Sequence, residues 1–274
     1  MGSKNETLKF NPFPGLRPFA EEESDLFFGR EKESLEVLGK LLANRFVTVI
    51  GASGTGKSSL IYCGVLPKVR EHGLKESSSW RIIKFRPGND PFGNLGEAIA
   101  ENLTGRGLHK VETDAILLEM HLDADGISST LGKYVASDGG NVLLVIDQFE
   151  ELFRYSTLSA GGSKGVRASE FVEKIVKAVS RPESNIYTLI TMRSDFIGEC
   201  SHYQGLTQLI NNSNYLVPHM KRENYRQVIE GPVKYAGASI DPKLVEIILN
   251  DIGDRTDQLP VLQHALMRTW SYWL

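Results

Sequence analysis

Apolar residues in this chain follow two alternating rhythms. Short, nearly unbroken runs occur at Phe46–Ile50, Arg81–Phe85 (RIIKF), Val142–Ile146 (VLLVI) and Ile186–Ile190 (IYTLI), with a weaker fifth at Tyr215–Val217. Between them the apolar positions fall at helical spacing, as with Leu35, Leu38, Leu41 and Leu42 inside Glu31–Ala43. Phe171, Val172, Ile175, Val176 and Val179 likewise share one helical face. At Asp90-Pro91 the aspartate suits a cap and the proline a first turn, so a helix is predicted to start there. Thr113 is predicted to open a second helix through the DAILLEM stretch. Central strands that are apolar throughout must be covered on both faces, so the fold class is α/β: a parallel sheet of about five strands flanked by helices.

The flanks read differently. Residues 1–20 form a polar tail and a proline-stiffened arm, NPFPGLRPF, from Asn11 to Phe19. Its interleaved Phe13, Leu16 and Phe19 predict an ordered arm anchored on the protein. Ser156 to Arg167, rich in glycine and serine, predicts a mobile surface loop. After Pro218 only helical patterns follow, at Glu223–Tyr235, Pro242–Leu249 and Leu259–Trp273. The expected organisation is therefore a central domain over 21–218 and a small all-α domain over 219–274. Trp270, Trp273 and Leu274 are large apolar residues that need a neighbour, so the second domain is expected to be truncated.

Composition narrows the function. A net charge of −3 with no basic run argues against nucleic acid or a membrane surface as partner. No apolar stretch has the length of a membrane span and no secretory leader opens the chain. Cys63 and Cys200 stand far apart without a partner motif, which predicts reduced thiols in a cytoplasmic protein. The histidines show no metal-ligand spacing, so nothing requires a metal held by protein groups alone.

The candidate chemistry starts where the first strand ends. Gly51, Ala52, Ser53, Gly54, Thr55, Gly56, Lys57 and Ser58, followed by Ser59, fit the phosphate-loop pattern of glycine, four residues, then Gly-Lys-Ser. Glycines let successive backbone N–H groups curl around phosphate oxygens. Lys57 would reach the β- and γ-phosphates and Ser58 would offer a hydroxyl to Mg²⁺. A bare structural turn is the competing reading. The β-branched strand before the loop and the apolar helix face after it (Leu60, Ile61, Val65) disfavour that reading. A carboxylate for Mg²⁺ is expected at a neighbouring strand end, where Asp147 closes VLLVI. Glu150 or Glu151, in DQFEE, would orient and deprotonate the attacking water, with Glu151 slightly preferred. Both also read as solvated acids opening the next helix. Arg193, just past the fourth strand, would sense the γ-phosphate, or else form a structural ion pair. Met192-Arg193-Ser194-Asp195 does not match a guanine reader, so ATP or ADP is the expected ligand.

Five spaced motifs now combine: FFGRE (Phe27–Glu31), the phosphate loop, DQFEEL (Asp147–Leu152), TMR (Thr191–Arg193) and LPVLQHAL (Leu259–Leu266). Together they resemble the STAND class of signal-transduction ATPases, relatives of NACHT and NB-ARC proteins. NPFPGLRPF resembles the lead-in of the bacterial, novel STAND branch. The resemblance runs from about Asn11 to the C-terminus. It implies that Phe28, Gly29 and Arg30 line the adenine and ribose side, and that Pro260 packs against the nucleotide from the helical domain. It also implies an ATPase switch with slow hydrolysis, self-association on activation, and effector and sensor domains outside this chain, in bacterial signalling or defence. Gln258 and Gln148 depart from the family pattern, which favours glycine at the first and aspartate or glycine at the second. Other readings are a non-hydrolysing nucleotide-dependent scaffold, an AAA-type DNA-associated ATPase, which would want clustered basic residues, and a small-molecule kinase.

Overall fold

The five apolar runs become β1 (Phe46–Gly51), β2 (Trp80–Phe85), β3 (Asn141–Ile146), β4 (Ile186–Arg193) and β5 (Asn214–Leu216). They form one parallel sheet in the order β2-β3-β4-β1-β5. In register, Ile83 faces Leu144, Leu144 faces Thr188 and Val49 faces Tyr215. This computed structural model describes residues 10–75, 79–104, 110–122, 125–135, 139–157, 163–181, 184–252 and 258–274. β1 is buried along its whole length and β3 along nearly all of it. That is why their sequences lack polar alternation. The edge strands carry the mixed patterns: Arg81 and Lys84 of β2 are exposed, and so are both ends of β5.

The chain divides into two compact units. One comprises Val37–Ile50 and Val69–Leu216 and contains the sheet, with helices α4 (Pro91–Thr104), α5 (Lys110–Leu122), α6 (Gly126–Tyr134), α7 (Glu151–Thr157), α8 (Ser163–Ser180) and α9 (Gln204–Asn212). Its core is built on Phe46, Phe92, Phe149, Phe171 and the inward residues of β3. Phe171 meets the edges of Phe92 and Phe85, with ring centroids 5.2 Å and 6.2 Å apart. Two expectations are corrected. α5 begins at Lys110, not at Thr113, because Lys110 and Glu112 are good helix formers and carry the helix back past the threonine. Most of the loop expected over 156–167 is helical: α7 runs to Thr157 and α8 starts at Ser163, its Lys, Arg and Ala residues outweighing Gly165. Residues 158–162 of that stretch lie outside the described residues.

The other unit comprises Met1–Glu36, Gly51–Lys68 and Val217–Leu274. It holds the arm, the phosphate loop and the helices α10 (Arg222–Tyr235), α11 (Pro242–Ile252) and α12 (Gln258–Trp273). Phe13 of the arm shares a core with Val228, Ile229, Val245, Leu249, Leu262, Leu266 and Trp270. Its ring lies edge-on to Trp270, with centroids 6.2 Å apart. Polar bonds fix the same contact. Asn11 Nδ2 donates to Met267 O at 2.9 Å, and Trp270 Nε1 donates to Phe10 O at 3.1 Å. Gly15, at φ +73°, passes so close to α12 that a Cβ would meet Met267 Sδ at 2.6 Å. Phe13 and Phe19 are buried, whereas Leu16 is exposed. Both cysteines are free and buried. Among the described residues, no helix is long and apolar enough to cross a membrane.

Phe13→Ala should destabilise the protein by about 3 kcal/mol, the loss for removing a fully buried phenyl ring, read in urea or thermal unfolding. An unchanged midpoint would show that the arm is not part of this core.

Candidate functional site

β1 delivers the chain to Gly51, where a Cβ would meet Thr55 Oγ1 at 2.9 Å. Thr55 closes the turn by donating to Ala52 O at 2.9 Å. Gly54 and Gly56 adopt left-handed backbone at φ +76° and +84°, where a side chain is strained. The result is a loop whose amides at Ser53, Gly54, Thr55 and Gly56 donate to no protein acceptor among the described residues. Such a run of unpaired N–H groups is an anion-binding surface. Lys57 folds back over it, with Nζ donating to Gly51 O and Ala52 O, both at 2.8 Å. Helical backbone follows as α2 (Lys57–Ser59), a π segment (Leu60–Val65) and α3 (Leu66–Lys75).

The π segment was not legible from spacing. Its one marker is Gly64, where a Cβ would lie 2.2 Å from Ser34 Oγ. Ser59 Oγ accepts the Phe19 N–H at 3.2 Å, so this hydroxyl ties the arm to the helix after the loop. Cys63 Sγ donates to Ala20 O at 2.9 Å, and burial, reinforced by the Glu23, Glu21 and Glu22 charges, pushes its pKa up to about 12.

Within the same unit, Phe28, Gly29 and Arg30 are clamped on α10. Gly29 (φ +81°) leaves only 2.8 Å between a Cβ and Asn224 O, and Asn224 Nδ2 donates to Gly29 O at 3.1 Å. The Phe28 ring fills the space over Gly231, where a Cβ would come within 2.5 Å. Arg30 is 4% exposed and pairs with Glu33 at 2.9 Å. Burial raises the Tyr225 phenol, an effect the Arg30 charge partly offsets. Leu259, the residue before Pro260, reaches within 3.2 Å of where a Gly56 Cβ would be, so the start of α12 rests on the phosphate loop. Pro260 itself is half-buried.

In the sheet unit, Asp147 is 1% exposed at the end of β3. Its N–H donates to Phe85 O at 3.0 Å, and its Oδ1 accepts the Thr191 hydroxyl at 2.6 Å. Its Oδ2 faces the Arg86 guanidinium at a longer 3.4 Å. Thr191 Oγ1 in turn accepts the Gln148 N–H at 2.9 Å. That bond holds Gln148 in left-handed backbone at φ +58°, a region uncommon for a side-chain-bearing residue. Glu150, 5% exposed, accepts the Arg193 N–H at 3.3 Å. Glu151 turns elsewhere: its carboxylate accepts the Gly88 N–H at 3.1 Å, in the segment leaving β2. The Arg193 side chain makes a two-pronged pair with Asp195, at 3.1 Å and 2.7 Å. That bond, with the charges of Asp195 and Glu150, raises the guanidinium pKa.

The structure therefore brings Asp147, Glu150 and the Arg193 backbone together through Thr191, and sends Glu151 to a separate loop. Thr191 and Arg86 were not singled out by sequence reasoning. Thr191 sits in the TMR motif and Arg86 directly follows RIIKF, but neither carries a spacing that announces its bond to Asp147. Among the described residues, no group of three His, Cys, Asp or Glu side chains could hold a metal alone.

The family model described as Novel STAND NTPase 1 matches residues 12–273. Among curated proteins, none matches the chain. The fold is similar to that of ORC1 of Aeropyrum pernix, solved in complex with DNA, at TM-score 0.60 and 14% identity. That match covers 90% of this chain and 61% of the other, so the chain spans less than two thirds of ORC1. ORC2 of Aeropyrum pernix, solved as ADPNP–ADP complexes, gives TM-score 0.61 at 14% identity and covers 98% and 72% of the two chains. A Walker-type ATPase of Pyrococcus abyssi gives 0.57 at 16% identity, with coverage of 92% and 71%. These likenesses share the P-loop NTPase fold with this chain.

Replacing Thr191 by valine keeps the shape but leaves Asp147 Oδ1 and the Gln148 N–H without this hydroxyl. The variant should lose about 1–3 kcal/mol of stability in chemical unfolding, and Thr191→Ser should recover most of it. A valine variant as stable as the parent would show that the bond carries no weight.

Proposed function

The chain belongs to the novel STAND NTPase 1 family, and on that footing we propose that it is an ATP- and ADP-binding switch module with slow ATP hydrolysis. The observation that carries the switch is the contact of Leu259 with Gly56: the first turn of α12 lies on the loop that would hold the phosphates. A ligand on that loop acts on α12 directly. ADP and ATP can favour different arrangements only through such differential contacts. In this reading the Ser53–Gly56 amides and Lys57 hold the phosphates, and Phe28, Gly29, Arg30 and Pro260 lie on the adenine side.

Mg²⁺ fits the residues present. Such a hard cation is held by one or two protein oxygens together with the substrate phosphates. Asp147, buried at the strand end with one oxygen anchored by Thr191 and the other facing Arg86 at 3.4 Å, suits that role, and the Ser58 hydroxyl is the second oxygen proposed for it. When bound, the ion would neutralise charge on the β- and γ-phosphates.

For the residue that orients and deprotonates water we choose Glu150 over Glu151. Glu150 is held beside the Asp147–Thr191 pair, whereas the Glu151 carboxylate is engaged by Gly88. Arg193 would sense the γ-phosphate by exchanging its solvent-facing partner Asp195 for phosphate oxygens, since an exposed ion pair holds it only weakly. Self-association on ATP binding, and effector and sensor domains beyond this chain, complete the proposal, in bacterial signalling or defence. We propose no DNA role, because the chain is net acidic at −3.

Lys57→Ala should weaken ADP binding at least about ten-fold in a fluorescence titration, as loss of a charge-assisted bond requires. Unchanged affinity would end the nucleotide reading. Glu150→Gln should slow phosphate release about a hundred-fold while binding persists, and Glu151→Gln should retain most of the rate. The reverse order would make Glu151 the base. No effect from either would favour the non-hydrolysing scaffold.

A further inference from the structure

We infer that Arg86 competes with Mg²⁺ for Asp147, and so sets how much the ion adds to nucleotide binding. The inference rests on the nucleotide and Mg²⁺ reading above. Arg86 Nε and Nη2 both donate to Asp147 Oδ2, each at 3.4 Å. The other oxygen, Oδ1, is taken by the Thr191 hydroxyl at 2.6 Å. A cation held by Asp147 therefore has Oδ2 to use, the same oxygen that the guanidinium faces.

The backbone around Arg86 is fastened from two helices. Asn94 Nδ2, on α4, donates to Arg86 O and Pro87 O, both at 3.0 Å. The Gly88 N–H donates to the carboxylate of Glu151, the first residue of α7, at 3.1 Å. Arg86 is thereby kept at the end of β2, beside the end of β3, and only its side chain is able to leave. That side chain is 50% exposed, against 1% for Asp147. Its contact is also longer than the about 2.7–2.9 Å of a strong charge-assisted bond. A half-exposed guanidinium is released at little cost, because water replaces what it loses. The buried carboxylate is different, since its charge is costly without a positive partner. A guanidinium and a divalent ion answer that need at one oxygen, and they repel each other there. Arg86 is thus a positioning residue that acts through Asp147.

The test measures the affinity of the chain for ADPNP, the imido analogue of ATP, by calorimetric titration in EDTA and in saturating Mg²⁺. The ratio of the two affinities is the contribution of the ion. Arg86→Gln should raise that ratio about five-fold, the worth of one partly exposed ion pair. In an Asp147→Asn background the same substitution should leave the ratio unmoved. In the unmodified protein with ADPNP bound, adding Mg²⁺ should speed phenylglyoxal labelling of Arg86, read by mass spectrometry, because the guanidinium is displaced. A ratio in Arg86→Gln that is unchanged or lower would overturn the inference. Equal loss of affinity with and without Mg²⁺ is one such result, and it would make Arg86 a direct phosphate ligand. An effect that persists in the Asp147→Asn background would also overturn it. Should Arg86→Gln fail to fold, labelling of the unmodified protein that ignores Mg²⁺ would do the same. If the unmodified protein failed to bind ADPNP, or bound it equally with and without Mg²⁺, the nucleotide or metal reading itself would fall, and this inference with it.

Discussion

Backbone N–H groups in a folded chain are almost always satisfied by other protein groups or by water, and the turn after β1 is built against that rule. Left-handed glycines at 54 and 56, and the Thr55–Ala52 bond, hold four consecutive amides away from any protein acceptor among the described residues. A side chain at Gly51 would collide with Thr55, so the geometry tolerates little substitution. The loop's own carbonyls at Gly51 and Ala52 instead take the Lys57 ammonium. What the turn lacks is negative charge, which in the proposed function a nucleotide's phosphate tail supplies.

The remaining features of the arm-and-helix unit bear on that loop from several points in the sequence. Leu259 covers Gly56, Phe19 bonds Ser59 just beyond it, and Phe28 and Gly29 are seated on α10. The arm reaches α12 through Asn11, Phe13 and Gly15, so residues some 260 positions apart share one core. A group that binds the loop therefore acts on a unit assembled from both ends of the described chain. In the proposed switch this connectivity turns a local phosphate contact into a change of state.

Much of the fold was legible because its signals are local. The strands of a covered parallel sheet must be apolar on both faces, and β1 and β3 announce themselves that way. The phosphate loop is legible because glycine is favoured where φ is positive, as at Gly54 and Gly56. Helix ends were less so: Thr113 lies inside α5, since a possible cap residue does not stop good helix formers from extending the helix before it. The loop expected over 156–167 gives way to helix at both of its ends for the same reason, as glycine and serine lower helix propensity without forbidding it. The roles of Thr191 and Arg86, and the separation of Glu150 from Glu151, depend on which strand ends are neighbours. Adjacent acids in DQFEE look equivalent in one dimension. They part only when the turn after β3 sends one toward Arg193 and the other toward Gly88.

The central claim is that amides and one ammonium hold a phosphate tail, and it is tested most directly by shortening that tail. Titrating the unmodified chain with ADP, AMP and adenosine should show affinity falling at each step, with adenosine weakest by a wide margin. Adenosine binding as tightly as ADP would place the affinity in the base alone and contradict the account.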